Sequence, residues 1–257
     1  MKKKRHESAV LTYSPPESIG AREELFGLLQ DYPATPDERE RCLGLFLRGS
    51  SLARILAVGD LYRLIVDRPG SILDIGTWRG LTAVLCENFR AIHEPLNFNR
   101  RVICFDTFEG YTGFGKGDGK THEIVRKGKY ATGREYAAYL AHLLELHERN
   151  NAMGHNTGKH RVIAGDVRKT LPAFFSGSPN ECVALAFFDV NAYEPTKEAF
   201  DHVWQRVVPG GVVAFWQLTR STLPAEGRVY CEHILNRHPH TLHRSTTYPG
   251  LAYLVRP

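Results

Sequence analysis

From Ser71 onward, short β-rich runs alternate with stretches of helical length, and that rhythm constrains the fold more than any other feature. The runs are Ser71–Ile75, Arg101–Phe105, His160–Ala164, Cys182–Phe188 and Gly211–Trp216. Between and after them, Leu81–Arg90, Arg134–Arg149, Arg168–Phe175, Thr196–Val207 and Arg228–Arg237 read as helices. Val183 to Phe188 contains no polar residue, which suits a parallel strand covered on both faces. Strands and helices alternating at this length predict a doubly wound α/β sheet. Thr241–Thr247 and Leu251–Val255 then flank Pro249-Gly250, a signal for a closing antiparallel hairpin with a type II turn. At 257 residues, 42% of them hydrophobic and 24% charged, the chain can bury one substantial core.

Residues 1–70 form a helical extension, with Glu23–Gln30, Glu38–Leu47 and Leu52–Val66 as its helices; residues 71–257 form the α/β domain. Within that domain residues 110–134 stand apart, with seven glycines and six basic residues against two acidic ones. Such a stretch buries little and cannot offset its own ordering entropy, so a lid beside the ligand crevice is expected. The chain has no apolar run long enough to cross a bilayer, and no apolar region follows Met1-Lys2-Lys3-Lys4-Arg5, so neither a membrane span nor a secretory signal is expected. Net charge is +5, but Lys2 to Arg5 supply four of those charges, so a solvated terminus fits better than a nucleic-acid footprint. Five scattered cysteines with no CxxC pair fit reduced thiols in a cytoplasmic protein. Leu43, Leu45, Phe46 and Leu47 give the extension an apolar face, and a homo-oligomer is expected from it.

Acids punctuate the strand ends. In Ile72-Leu73-Asp74-Ile75-Gly76-Thr77-Trp78-Arg79-Gly80, Gly76 permits a sharp turn beside a ligand and Gly80 permits close helix–strand packing. The GxGxxG of a nicotinamide site is missing there. Asp106, in Val102-Ile103-Cys104-Phe105-Asp106-Thr107-Phe108-Glu109-Gly110, ends the second strand, where a carboxylate can accept both hydroxyls of a ribose or simply cap a turn. Asp166, in Gly165-Asp166-Val167, can reach an adenine amine, cap the next helix, or do both. Asp189 follows an apolar strand, so its burial calls for a metal, a ligand hydroxyl or a hydrogen-bond donor. Together these acids make an adenosine-binding crevice along one sheet edge.

The segments DIGTWRG, FDTFEG, GDVRKTLP, FDVNAYEPTKEAF and VPGGVVAFW, in that order over roughly Ser71 to Arg237, resemble the macrocin O-methyltransferase family. That resemblance implies the class I methyltransferase fold, a Rossmann-like, mostly parallel seven-stranded sheet with a C-terminal antiparallel hairpin. It implies an S-adenosylmethionine-dependent O-methyltransferase acting on a deoxysugar hydroxyl in antibiotic biosynthesis. The acceptor would be a nucleotide sugar or a sugar already attached to the natural product, with no nucleic acid or membrane as partner. Asp74, Gly76, Thr77, Trp78 and Gly80 would border the methionine part; Asp106, with Thr107 and Phe108, the ribose; and Asp166 and Val167 the adenine. Asp189 would lie at the reacting end beside the cofactor, and it is the first candidate for orienting or deprotonating the acceptor hydroxyl.

The sequence departs from that pattern in two places. Asn191 stands where a second acid is typical, and Trp216-Gln217 replaces an acidic pair, which leaves Asp189 with only the neutral oxygens of Asn191 or Gln217 beside it, a poor magnesium site. Magnesium prefers several hard oxygens, so a metal requirement is not expected. His122, in the glycine-rich segment, is the reserve base. The lid residues Lys116, Lys120, Arg126, Lys127 and Lys129 suit a diphosphate. His233, His238, His240 and His243 have no carboxylate or cysteine at ligand spacing and read as surface residues. The rival readings are a non-catalytic adenosine-ligand binding protein and a hydroxylase-like relative on the same fold.

Overall fold

The computed structural model describes residues 15–118, 126–151 and 157–257. The chain divides into two compact units, Met1–Arg54 and Ile55–Pro257. In the first, helices α1 (Pro16–Gln30) and α2 (Pro36–Arg41) precede a 3₁₀ turn at Leu43–Phe46. Helix α2 starts on a capping box. Its Thr35 side chain accepts from the Glu38 backbone, while the Glu38 carboxylate accepts from Thr35 N at 2.8 Å. Phe26, Leu28, Leu43, Leu45 and Leu47 are all exposed.

Helix α3 (Gly49–Arg63) leads into the second unit, whose strands are β1 (Ser71–Ile75), β2 (Val102–Asp106), β3 (Arg161–Ala164), β4 (Val183–Phe188), β5 (Val207–Phe215), β6 (Thr241–Arg244) and β7 (Ala252–Val255). They form one sheet in the order β3-β2-β1-β4-β5-β7-β6, with β1 to β5 parallel and β7 antiparallel to both β5 and β6. This is the class I methyltransferase arrangement. Helices α4 (Leu81–His93), α5 (Tyr136–Asn151), α6 (Val167–Gly177), α7 (Tyr193–Trp204) and α8 (Ala225–Val229) complete the unit.

Successive strand residues point to opposite faces, so the sheet feeds two cores. Leu73, Ile75, Phe105, Ala186, Phe188 and Phe215 pack with Leu171, Phe174, Phe200 and Val229 of α6, α7 and α8. Ile72, Cys104, Leu185, Phe187 and Ala214 pack with Leu61 and Tyr62 of α3, Cys86 of α4 and Leu140 of α5. Every residue of β4 is buried, as its unbroken apolar run requires. Arg100, 1% exposed, secures the entry to β1: its guanidinium donates to the carbonyls of Gly70, Ile65 and Arg68 and to Glu94. Strand order reverses between β1 and β4, which places a crevice beyond their carboxyl ends.

Three local expectations need correction. Strand β5 begins at Val207 and runs through Pro209, Gly210 and Gly211, with a register shift opposite β4 between Val183 and Leu185. The shift lets the ladder pass a proline that cannot donate. The hairpin turn is not type II: Leu251 N donates to Tyr248 O at 2.9 Å, but Gly250 is not among the residues with positive φ. The helix expected over 228–237 is α8 followed by a π turn at Tyr230–Ile234, closed by Leu235 N donating to Tyr230 O at 2.9 Å. Among the described residues, no helix is long and apolar enough to cross a membrane.

Candidate active site

The turn after β1 is built around Gly76, at φ 82°. Its backbone passes so near the end of β4 that an added Cβ would lie 2.6 Å from Asp189 O, and Asp189 N donates to Ile75 O at 2.9 Å. Asp74 is 2% exposed and accepts from Thr77 Oγ1 at 2.5 Å. Trp78 follows at φ 49° and aims its backbone N–H at Asp106 Oδ2, 2.7 Å away. Gly80, at φ 81°, opens α4 without a side-chain cap, and a Cβ there would meet Leu140 Cδ1 at 2.2 Å. Close helix packing explains this second glycine.

Asp106, at the end of β2, receives Trp78 N on one oxygen and Phe108 N on the other, each at 2.7 Å. Burial pushes its pKa up, outweighing those two N–H groups, and the charge of Asp189 adds to the rise. Each carboxylate oxygen still has a lone pair for a ribose hydroxyl. Thr107 Oγ1 donates to Gly110 O at 3.0 Å, shaping the loop. The Phe108 ring is 1% exposed and lies in the core, while its carbonyl accepts Thr132 N and Gly133 N, both at 3.0 Å. Its place is therefore that of a strut beneath Asp106.

At the end of β3, Asp166 caps α6 by accepting Arg168 N at 3.0 Å, and it pairs with the Arg168 guanidinium at 2.5 Å. That side-chain bond lowers its pKa. Val167 is 8% exposed and packs in the core. The capping reading of Asp166 is thus realised, with the carboxylate engaged by a neighbouring arginine.

Asp189 accepts from Asn191 Nδ2 at 3.1 Å. Two groups border it that the strand-end pattern misses. Tyr111, in the glycine-rich segment, has its pKa raised by burial first, then by Asp189, Tyr130 and Glu226, while Asn191 bonds its hydroxyl and opposes the rise. Glu226 of α8 is 0% exposed and accepts Gln217 N at 2.8 Å. Burial pushes its pKa well above the usual range, Asp189 adds to the rise, and backbone N–H groups of Gln217 and Asn191 oppose it. Tyr111 follows directly on FDTFEG, a signal that sequence could have used; Glu226 carries none, because it arrives from a different helix.

Only the flanks of the glycine-rich segment are described, and His122 and Lys120 lie outside the described residues. Gly128 N donates to Tyr111 O at 2.8 Å and Tyr111 N to Lys129 O at 3.1 Å, joining the two flanks. Asp118, 3% exposed, accepts Tyr193 N at 2.6 Å, and Arg228 donates to Gly117 O. The first flank is therefore tied to α7 and α8. Trp78, Phe108, Tyr130 and Asn191 are the four non-glycine residues with positive φ among those described, and all belong to this site.

The structure adds Glu226 to the oxygens of Asp189 and Asn191 that a magnesium ion could use. Asn191 Oδ1 is buried without a hydrogen-bond partner, and its residue and the buried Glu226 carboxyl both border Asp189. An amide oxygen left without a proton to accept, beside two carboxyl groups, supplies hard oxygens of the kind such a cation takes on displacing a carboxyl proton, so the residues fit it. Trp216, in place of one typical acid, is 1% exposed and stacks on Phe187 at 6.1 Å, as a core residue.

A family model described as a methyltransferase domain matches residues 73–215. The 8-demethyl-8-(2,3-dimethoxy-alpha-L-rhamnosyl)-tetracenomycin-C 4'-O-methyltransferase of Streptomyces olivaceus is 29% identical over 146 residues, which are 56% of this chain and 51% of that one. The chain thus spans about half the length of this curated relative. Among solved structures, CalS11, a calicheamicin methyltransferase, has a TM-score of 0.88 and 31% identity, over 97% of this chain and 96% of that one. An apo structure of CalS11, a TDP-rhamnose 3'-O-methyltransferase of calicheamicin biosynthesis, has a TM-score of 0.81 and 29% identity over 97% of this chain and 99% of that one. These relatives are sugar O-methyltransferases by name, in keeping with the resemblance read from the motifs. A family match over more than half of the chain, together with a likeness along nearly all of it, places the molecule: it belongs to the methyltransferase domain family.

Proposed function

We propose that the chain is an S-adenosylmethionine-dependent O-methyltransferase acting on a deoxysugar hydroxyl, either nucleotide-linked, as in TDP-rhamnose, or attached to an antibiotic. One observation carries the reading: the Gly76 turn lies so close to the end of β4 that an added Cβ would sit 2.6 Å from Asp189 O, and, two residues on, Trp78 N donates to Asp106 Oδ2 at 2.7 Å. This supports a single crevice in which Asp106 and Asp189 flank the same turn. S-adenosylmethionine supplies the methyl group, which passes to the acceptor oxygen while its bonding electrons stay on sulfur. Asp106 holds the ribose, Asp74 with Thr77 and Trp78 shapes the methionine end, and Asp166 and Val167 border the adenine. Asp189 orients the acceptor hydroxyl and takes its proton, with Tyr111 as a hydrogen-bond donor beside it. Holding both partners in line provides most of the acceleration such a site can give.

Asp189, Asn191 and Glu226 would hold a magnesium ion, which when bound lowers the pKa of a hydroxyl it touches. The glycine-rich segment 110–134 serves as a lid, and its lysines and arginines suit a nucleotide diphosphate. Exposed Phe26, Leu28, Leu43, Leu45 and Leu47 support a homo-oligomer, and five free thiols support a cytoplasmic setting. Calorimetric titration with S-adenosylhomocysteine, with and without magnesium, tests the crevice; absence of binding in both conditions overturns the proposal. Turnover with TDP-rhamnose and with a rhamnosylated aglycone then separates the two acceptors.

A further inference from the structure

Away from the crevice, the fold brings together three side chains that the sequence keeps apart. Helix α7 starts at the crevice edge and runs back along the sheet, so Asp201 lies about 12 Å down its axis from Tyr193. There His233 Nε2 meets Asp201 Oδ1 at 2.8 Å, and a ring nitrogen of His238 joins them, with all three donor atoms within 4.8 Å of one another. Among the described residues this is the one such group of histidine, cysteine and acidic ligands.

The local backbone explains how the histidines meet. In a continued α-helix, residues five apart would point about 140° away from each other. Instead the π turn at Tyr230–Ile234 widens the helix, and Arg237 N and His238 N then both donate to Ile234 O, at 3.0 and 3.1 Å. The rings of His233 and His238 end 6.1 Å apart. Phe200 and Trp204 of α7 meet the His238 ring edge-on at 5.2 and 6.0 Å and fix its orientation. Single π turns are rare, and they recur where a site needs residues out of helical phase.

We propose that Asp201, His233 and His238 form a binding site for a divalent transition-metal cation of the zinc class. Two imidazole nitrogens and one carboxylate oxygen, with a fourth position left to water, are the donor types and number that zinc takes. His240 is not part of the set: its Nδ1 lies 2.6 Å from His238 O and its Nε2 3.2 Å from Tyr230 Oη. Arg237 is the competitor. Its Nη1 lies 3.1 Å from His233 Nδ1, which keeps the ring proton on Nε2, facing Asp201. On binding, the cation takes Nε2, the ring proton moves to Nδ1, and Arg237, exposed to solvent, swings away. The bound ion would pin the π turn to α7 without touching the methyl-transfer crevice.

The test uses the full chain, stripped with EDTA and titrated with zinc by calorimetry in excess magnesium, so that hard-oxygen sites are filled. One equivalent is expected to bind at micromolar concentration, and cobalt(II) in its place is expected to give the intense visible bands of a four-coordinate site. Asp201→Asn and His238→Gln should each weaken binding at least about tenfold, and Arg237→Gln should tighten it. Zinc should raise the melting temperature of the parent protein but not of Asp201→Asn, whose methyl transfer stays unchanged. Either of two results overturns the proposal: no binding up to millimolar zinc, or binding unaltered in both ligand variants, which would place the cation elsewhere, for instance on exposed Cys231.

Discussion

Substituting Gly76 by alanine perturbs the point where the turn after β1 meets the end of β4. The new Cβ would lie 2.6 Å from Asp189 O, 2.8 Å from Asp189 C and 3.1 Å from Val190 N, all backbone atoms that cannot rotate aside. The residue would also have to hold φ 82°, which costs an L-residue about 1–2 kcal/mol. Relieving the overlap adds about 1–3 kcal/mol, as forced overpacking does elsewhere. The expected loss of stability is therefore about 2–5 kcal/mol. Because Asp189 moves with the backbone that yields, turnover should fall by about a hundredfold in whatever fraction stays folded. Urea denaturation measures the first quantity and single-turnover methyl transfer, normalised to folded protein, the second. Gly177→Ala is the control: at the end of α6 its Cβ meets nothing within 4 Å, and the change should be close to neutral. If Gly76→Ala matched the parent in both assays, the contact between this turn and Asp189 would not exist as described, and the one-crevice argument would fail with it.

Other perturbations have equally definite outcomes. Asp189→Asn should lower kcat by about 10²–10⁴-fold with little change in S-adenosylhomocysteine affinity; full turnover would remove Asp189 from the mechanism. Asp106→Asn leaves Trp78 N or Phe108 N without its acceptor, which costs about 1–3 kcal/mol and should weaken S-adenosylhomocysteine binding in calorimetry by about tenfold or more. Glu226 has its pKa raised by burial, so above the unfolded value of about 4.3 the folded chain retains a proton that the unfolded chain releases. Stability should then fall as pH rises from that value toward the folded pKa, by about 1.4 kcal/mol per unit, and level off above it. In EDTA-treated Glu226→Gln that slope should vanish; an unchanged denaturation profile would mean that the carboxyl is not held neutral. Arg100→Ala strands Glu94 and three carbonyls in the interior, and should cost about 3–5 kcal/mol in the same denaturation assay.

Strands β2 and β4 were readable from sequence because each is an unbroken apolar run ended by an acid, and β1 because Ile72, Leu73 and Ile75 surround Asp74 just before the Gly76 turn; apolar residues in near-continuous runs are what a parallel strand buried on both faces requires. The same logic located Asp74, Asp106, Asp166 and Asp189, since each lies within two residues of a strand's carboxyl end, where the strand sets its position. Start points were harder. Val207 to Gly211 holds a proline and two glycines, which signal a loop locally, yet the neighbouring ladder of β4 draws them into β5. A five-residue π turn cannot be told from an α-helix by hydrophobic spacing, so the break after Val229 was hidden. Groups that reach a site across space leave no pattern either. Glu226 comes to Asp189 from α8, and Asp201 meets His233 over 32 residues of sequence.

The four strained residues around the crevice have a consequence for anyone who selects variants of this protein by heat resistance. Trp78, Phe108, Tyr130 and Asn191 each hold a left-handed backbone that glycine would adopt without cost. At the partly buried Trp78, Tyr130 and Asn191 a screen that rewards survival alone will therefore be drawn to glycine, by about 1 kcal/mol apiece, whereas at Phe108 the loss of a ring buried in the core outweighs that relief. Each such winner would give up a group of the proposed site: the indole on the turn that feeds Asp106, an aromatic partner of Tyr111, or the amide beside Asp189. Durability and turnover should thus be scored together, because at these three positions a gain in one is expected to come with a loss in the other.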